Sequence, residues 1–288
     1  MTSLLTIRKA SIQSIKENDN FIMVGFIVPF KSKSKSKNWD NDCSLLRATL
    51  RSICNQTSDS YRIFVIYTDY PDGSLQSEKV EFIQFPFPFV TNEELNKVEK
   101  TRDPNSKLVI DERMFDQGKR ILYGCREAKR RGCNFVMNVD ADDLISNRIV
   151  SYVEYYVSEN IGWYVNKGYV LKNNCSFLLK INKNMNYLNA STHIVHINLV
   201  PEVNFESKGF SDFSFFSAHG YLKERIKIMV GTTLKPLPFF ALIYFIHDSN
   251  WAGLGTTMKK HWLKTIFKYI LFGKKLNVSI RKEFGLHV

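Results

Sequence analysis

The chain has 288 residues, of which 44% are hydrophobic and 14% aromatic, enough for a sizeable core, so wholesale disorder is excluded. No apolar run approaches the roughly 18 residues of a spanning helix, and the charged N-terminal stretch lacks the apolar centre and small-residue cleavage site of a secretory signal. A formal net charge of +12 points to an anionic partner. The five scattered cysteines form no C-x-x-C pair, which excludes zinc-finger and thioredoxin-type sites and fits a reducing, cytoplasmic setting.

After a polar lead-in, the apolar run Phe21 to Val28, stopped by Pro29, reads as a strand buried on both faces, as in a parallel sheet. The basic, low-complexity KSKSKSKN at 31–38 reads as a flexible loop. Helical spacing of Cys43, Leu46, Leu50 and Ile53 follows. Strands are expected at Arg62–Tyr67, closed by the turn residues Asp69, Pro71, Asp72 and Gly73, and at Val80–Phe85. Residues 91–113 show no clear pattern, and helical periodicity returns from Gly118 to Arg131. Phe135–Val139 is another buried strand, followed at once by Asp140-Ala141-Asp142-Asp143. This β-α-β-β-α-β order predicts an α/β fold, with a mainly parallel sheet between helices and its function at the carboxyl ends of the strands. Further on, a helix is expected over Arg148–Val157, strands over Gly162–Leu171 and Phe177–Ile181, a helix over Phe213–Arg225, and a strand over Phe239–Ile246 that ends at His247.

Three carboxylates within four residues at a strand end repel one another unless a cation or hydrogen-bond donors offset them. Oxygen ligands of this kind suit Mg²⁺ or Mn²⁺. In an extended peptide Asp140 and Asp142 would point the same way, with Ala141 between them pointing opposite, but a turn beginning at Ala141 sends the two carboxylates to different sides, one to a metal and one to a ribose or a metal-bound water. The alternative is that Asp143 caps a helix beginning near Asn147, the rest being a polar loop. The imidazole of His247 would complete the coordination of an ion such as Mn²⁺, or else simply bond to backbone at its strand end. Asp116-Gln117-Gly118-Lys119-Arg120, placed just before the helix that leads into the acidic strand, either approaches a ribose or phosphate or forms an exposed helix start capped by Asp116.

The segment Phe135–Asp143 resembles the D-x-D region of GT-A-type nucleotide-sugar glycosyltransferases. Ile27-Val28-Pro29-Phe30 looks like their first strand, and Leu46 to Thr57, ending in Gln56-Thr57, resembles a segment common in family-2-like members. The resemblance covers roughly residues 20–160, with weaker echoes to about 255. It implies a GT-A-like α/β fold and transfer of a sugar from a UDP- or GDP-linked donor to an acceptor hydroxyl on a glycan or lipid-linked acceptor. Asp140 and Asp142 would then serve the ribose and a Mn²⁺ or Mg²⁺ ion bridging the diphosphate, with His247 as a further ligand. Pro29, Asp69, Asp116, Lys119 and Arg120 would lie near the nucleotide. The family's usual Glu-Asp pair for the base is not visible, which leaves Asp212 and His219, and behind them Glu224, as candidates. On this view residues 1–255 form the enzyme, with a nucleotide-sugar half over 20–145 and an acceptor half over 146–255.

Residues 256–288 form a basic amphipathic tail. Between Lys259 and Lys282 eight Lys or Arg and no acid interleave with Trp262, Leu263, Ile266, Phe267 and Ile270. Such a segment suits an anionic membrane interface, at about 1 kcal/mol per basic residue, or packs on the domain with its lysines solvated. The peripheral, cytoplasmic-face location and surface-glycan synthesis follow as expectations. The competing reading is a nucleic-acid-binding protein using the basic loop and tail, but no recognisable module with stacking aromatics occurs. A nucleotidyltransferase is disfavoured by the absence of G-x-x-x-x-G-K.

Overall fold

The computed structural model describes residues 22–73, 75–103, 110–173, 175–217, 219–247 and 273–286. Its first part is an alternation of strands and helices: β1 (Val24–Pro29), α1 (Trp39–Cys54), β2 (Tyr61–Tyr67), β3 (Val80–Gln84), α2 (Asn92–Arg102), α3 (Glu112–Arg130) and β4 (Phe135–Asn138). After these come β5 (Leu144–Ile145), α4 (Ile149–Tyr156), β6 (Gly162–Tyr164), β7 (Lys167–Lys172), β8 (Phe177–Ile181) and β9 (His193–His196). The chain closes with α5 (Leu222–Val230), β10 (Lys235–Pro236), β11 (Phe240–Ile246), β12 (Gly273–Lys275) and α6 (Val278–Glu283).

Two sheets result. The larger runs β10-β6-β9-β4-β1-β2-β3, and the smaller runs β12-β8-β7-β11-β5. β1 pairs in parallel with β2 and β4, and β2 in parallel with β3. Every residue of β1 is buried, as a central strand covered on both faces requires. Phe26 and Val28 face Leu46, Leu50 and Ile53 of α1, whereas Ile27 faces Ile121, Leu122 and Cys125 of α3. The period-2 alternation of the strand thus serves two apolar helix faces at once. The expected α/β architecture, with sheets flanked by helices, is what the chain adopts.

Local chemistry explains the helix starts. Thr91 and Glu94 form a capping box on α2, in the stretch that showed no pattern, because the caps carry it and its apolar face is only Leu95. α3 starts six residues before Gly118. Asp111 caps it by accepting from the backbone N–H of Arg113 and Met114, so Asp116 is not a cap and residues 116–120 lie within the helix. The expected strand at Gly162–Leu171 divides into β6 and β7, which belong to different sheets, and β9 inserts antiparallel between β4 and β6. Where a helix was expected over Phe213–Arg225, 3₁₀ turns at Phe210–Phe213 and His219–Tyr221 precede α5.

The KSKSKSKN stretch is pinned, not loose. A 3₁₀ turn at Lys33–Lys35 is held by the Lys33 N–H donating to Asp69 Oδ2 at 2.7 Å, by a Lys31–Asp42 ion pair at 2.8 Å, and by Lys35 Nζ lying 3.7 Å from the centroid of Phe89.

Of the expected C-terminal tail, residues 256–272 lie outside the described residues. Residues 273–286 are part of the body. β12 pairs with β8, and Ile280 and Phe284 of the α6 region are buried against Leu144, Tyr169 and Ile243. Glu283 accepts from Ser146 Oγ at 2.6 Å and from Arg148 Nη2 at 2.7 Å, which ties this end to the segment just after the acidic motif. Gln56 grips the same segment from the other side. Its Nε2 donates to Ser146 O at 3.0 Å and its Oε1 accepts from the Val150 N–H at 3.0 Å. Among the described residues no helix is long and apolar enough to cross a membrane. All five cysteines are unpaired.

Candidate active site

A cleft of about 540 Å³ opens where β1 and β4 end, at the carboxyl edge of the parallel strands, as open α/β sheets place their ligand sites. Pro29 and Phe30 enter it from β1, Asp140 and Asp142 from β4, and Asp116 and Arg120 from α3. Lys31, Lys35 and Lys37 bring the basic loop to it, and Leu188, Asn189 and His219 line it from the later half of the chain.

The acidic motif is a turn: the Asp143 N–H donates to Asp140 O at 3.0 Å. The two carboxylates, expected on different sides of this turn, both line the same cleft. Asp140 Oδ1 accepts from Gln117 Nε2 at 2.8 Å, and its backbone N–H donates to Ser191 Oγ at 2.8 Å. Burial, followed by repulsion from Asp142, pushes the Asp140 carboxyl up to about 7. Its hydrogen-bond partners are neutral amides, which stabilise the anion less than a cation would. Asp142 Oδ2 lies 2.8 Å from His247 Nε2, so β11 delivers this imidazole to the motif across 105 residues of sequence.

Asp143 does not cap a helix. It is fully buried, accepting from Asn189 Nδ2 at 2.8 Å and Ser191 Oγ at 2.6 Å. The Ser191 hydroxyl, by also accepting from the Asp140 N–H, ties the motif to the 189–191 loop. Burial and the two neighbouring carboxylates hold the Asp143 carboxyl well above its ordinary range. Sequence reasoning passed over Asp143, Asn189 and Ser191 as a unit. The available signal was that Asp143 is followed directly by the apolar pair Leu144-Ile145, which draws it into the core.

Arg120 is buried and forms a two-point ion pair with Asp116, Nε to Oδ2 at 2.7 Å and Nη2 to Oδ1 at 3.3 Å. Its Nη2 also donates to Thr68 Oγ1 at 2.8 Å, and the guanidinium lies 4.4 Å from the Phe85 ring centroid. Burial pushes the His219 pKa down, which favours the neutral imidazole.

Besides His247, which reaches the motif through Asp142, the expected residues Asp212, Asp69 and Lys119 are not among those lining the cleft. Asp212 is paired with Arg102, Nη2 to Oδ2 at 2.9 Å, and takes the Ser207 hydroxyl as well. The guanidinium holds its carboxyl below the usual range, which suits a structural anion and not a base. Asp69 is occupied in pinning the basic loop through the Lys33 N–H. The Lys119 ammonium is buried among Phe87 and Phe213, 4.3 Å and 5.4 Å from their centroids. Gly118 does not approach a phosphate. A Cβ there would sit 2.2 Å from Phe213 O, so its small size is what lets α3 press on the turn that carries Asp212.

No protein-family model matches the chain, and no curated protein does. Solved structures give likenesses at low identity. S. aureus TarS 1–349 superposes with a TM-score of 0.42 at 15% identity, covering 78% of this chain and 60% of that one. The same fragment in complex with UDP-GlcNAc gives 0.40 at 16%, covering 80% and 60%. A Desulfovibrio desulfuricans G20 protein, assigned provisionally as a nucleotide-diphospho-sugar transferase, gives 0.34 at 9%, covering 92% and 91%. The chain thus spans about 60% of the length of the TarS fragment.

Proposed function

We propose that this protein is a glycosyltransferase that takes a sugar from a UDP- or GDP-linked donor with the aid of Mn²⁺ or Mg²⁺. The observation that carries the reading is the turn on which Asp140 and Asp142 share one cleft with the lysines of the loop after β1. Asp140, held by neutral amides, and Asp142 beside it face a basic rim, which makes a divided charge pattern. A divalent ion bound to a diphosphate matches it on both sides.

The donor set fits such an ion: two carboxylates and the imidazole of His247 are oxygen and nitrogen ligands suited to Mn²⁺, or without the imidazole to Mg²⁺. Among the described residues no group of three or more His, Cys, Asp or Glu is arranged to hold a metal by itself. An ion here would therefore take its remaining ligands from donor phosphates and water, the usual arrangement for Mg²⁺. When bound, it would supply charge neutralisation for the departing diphosphate. Asn138 and Gln117 hold the Asp140 carboxylate in place, and the Asp116–Arg120 pair, with Pro29, shapes the wall where the nucleotide would lie.

His219 replaces Asp212 as the candidate base, because it is neutral and lines the cleft whereas Asp212 is neutralised elsewhere. The acceptor would be a glycan or lipid-linked glycan of a cell-surface polysaccharide, approached at the cytoplasmic membrane face. The five unpaired cysteines support that compartment. The basic stretch 256–272 would supply the membrane contact. Its test is charge reversal at Lys260, Lys264 and Lys268 in the full chain, scored by binding to anionic liposomes. Truncation is unsuitable, because Glu283 supports Ser146 and Arg148.

The deciding experiment is thermal shift with UDP and GDP, with and without Mn²⁺. Stabilisation by a nucleoside diphosphate that needs the metal, and that Asp142→Ala removes, is expected. Stabilisation by an oligonucleotide alone, falling steeply with salt, would overturn the reading in favour of nucleic-acid binding.

A further inference from the structure

Beside His219, which lines the cleft, two large aromatic side chains stand in solvent. Tyr187 is 44% exposed and Tyr221 is 66% exposed. Their rings meet edge to face with centroids 6.2 Å apart at 90°. They are held in place. The turn at Met185–Tyr187 packs on the turn at His219–Tyr221. Gly220, between the two partners, leaves so little space that a Cβ there would lie 2.8 Å from Tyr187 Cδ1. Lys223 Nζ sits 5.4 Å from the Tyr187 centroid, and the Tyr187 hydroxyl faces Glu224 Oε1 at 3.5 Å. Leu188, the residue after Tyr187, lines the cleft itself.

Fixing two tyrosines at a surface leaves apolar ring area in water that an ordinary surface would avoid, and amphipathic rings of this kind recur where a ligand covers them. The surroundings indicate the ligand. A ring face bordered by a carboxylate, an ammonium and an imidazole offers an apolar platform edged with hydrogen-bonding groups. A pyranose presents the counterpart: one face of C–H groups, polarised by the attached oxygens and attracted to the electron-rich ring face, and an edge of hydroxyls. An alkyl chain would waste the polar edge. A nucleoside diphosphate finds its charge complement at the basic loop instead.

We infer that Tyr187 and Tyr221 form an acceptor subsite that stacks a sugar ring of the acceptor and presents its hydroxyl towards His219. This rests on the glycosyltransferase reading and specifies the acceptor as a saccharide at the point of attachment.

The test is saturation-transfer NMR on the full chain with a panel of methyl pyranosides (gluco, galacto, manno and N-acetylglucosamine, both anomers) and decyl phosphate. Transfer to the axial ring C–H protons of at least one glycoside is expected. Tyr221→Ala and Tyr187→Ala should weaken it roughly tenfold, the scale on which an aromatic anchor is lost. Tyr221→Phe, which keeps the ring, should retain it, and so should Tyr155→Ala, a control at an exposed tyrosine of α4. A metal-dependent UDP shift in Tyr221→Ala equal to that of the wild type verifies folding. No glycoside signal, a signal indifferent to both alanine variants, or transfer to decyl phosphate alone overturns the subsite. If the wild type binds glycosides but shows no UDP shift, the donor reading fails while the saccharide platform stands.

Discussion

Asp140 and Asp212 are the same residue placed in opposite electrostatic situations. Asp212 meets Arg102 and Ser207 within the fold, and its carboxyl is held below the ordinary range. Asp140 is surrounded by the amides of Gln117 and Asn138 and by a second carboxylate, and its carboxyl rises to about 7. One charge is satisfied by the chain itself. The other is held by neutral amides alone. The difference lies in what the fold brings to each of them.

Four perturbations separate the two corners. The largest effect is expected from Gly118→Ala, which drives a methyl group into Phe213 O, at 2.2 Å in the unrelaxed geometry, and pushes the Asp212 turn off α3. A loss of about 3 kcal/mol by urea unfolding is expected, and a loss under about 1 kcal/mol would show that the contact is soft. Ser191→Ala removes the hydroxyl shared by the Asp140 N–H and Asp143, leaving buried groups unsatisfied. It should cost about 2 kcal/mol and weaken the metal-dependent UDP shift, because the turn holding Asp140 is then untied.

The pH dependences of the two carboxylates have opposite signs. Folded Asp140 keeps its proton up to about pH 7, whereas the unfolded chain releases it near 3.8, so metal-free stability falls as pH rises between these values. Asp140→Asn should therefore gain on the wild type as pH rises across that window, read by urea unfolding, with the gain absent near pH 4. For Asp212 the folded carboxyl titrates below the unfolded one, so its contribution is present above about 4 and is lost in acid. The smallest effect is then Asp212→Asn. Side chains that are 43% and 33% exposed make a pair worth about 0.5 kcal/mol. No change in UDP binding is expected, and a loss of binding would return Asp212 to the active site.

Much of the parallel half was legible because its signals are local. β1, β2 and β4 are apolar runs whose length and branching mark buried strands, and the helical face of α1 shows in Cys43, Leu46, Leu50 and Ile53. α2 escaped notice because its sequence is polar and its start is set by a capping box. β9 escaped because four residues between two antiparallel partners carry too short a pattern. In the candidate site, Asp140, Asp142, His219, Asp116 and Arg120 were named from sequence and do meet in one cleft. His247 was named too, and reaches the motif through Asp142. Lys119 was misread because alternation along a helix turns neighbours to different sides. Its ammonium faces a wall of phenylalanines, whereas Arg120 faces the cleft.

The amino-acid sequence by itself determined the strand–helix alternation, the acidic turn at the end of β4 and the basic loop after β1. Each is set by side chains within a few positions of one another, through periodicity, capping and charge. Only the tertiary structure decided which charged groups pair within the fold and which line the cleft. Arg102 finds Asp212 across 110 residues, His247 finds Asp142 across 105, and Ser191 finds Asp143 across 48. Partners so distant are chosen by the burial of whole elements, and no local preference encodes that choice.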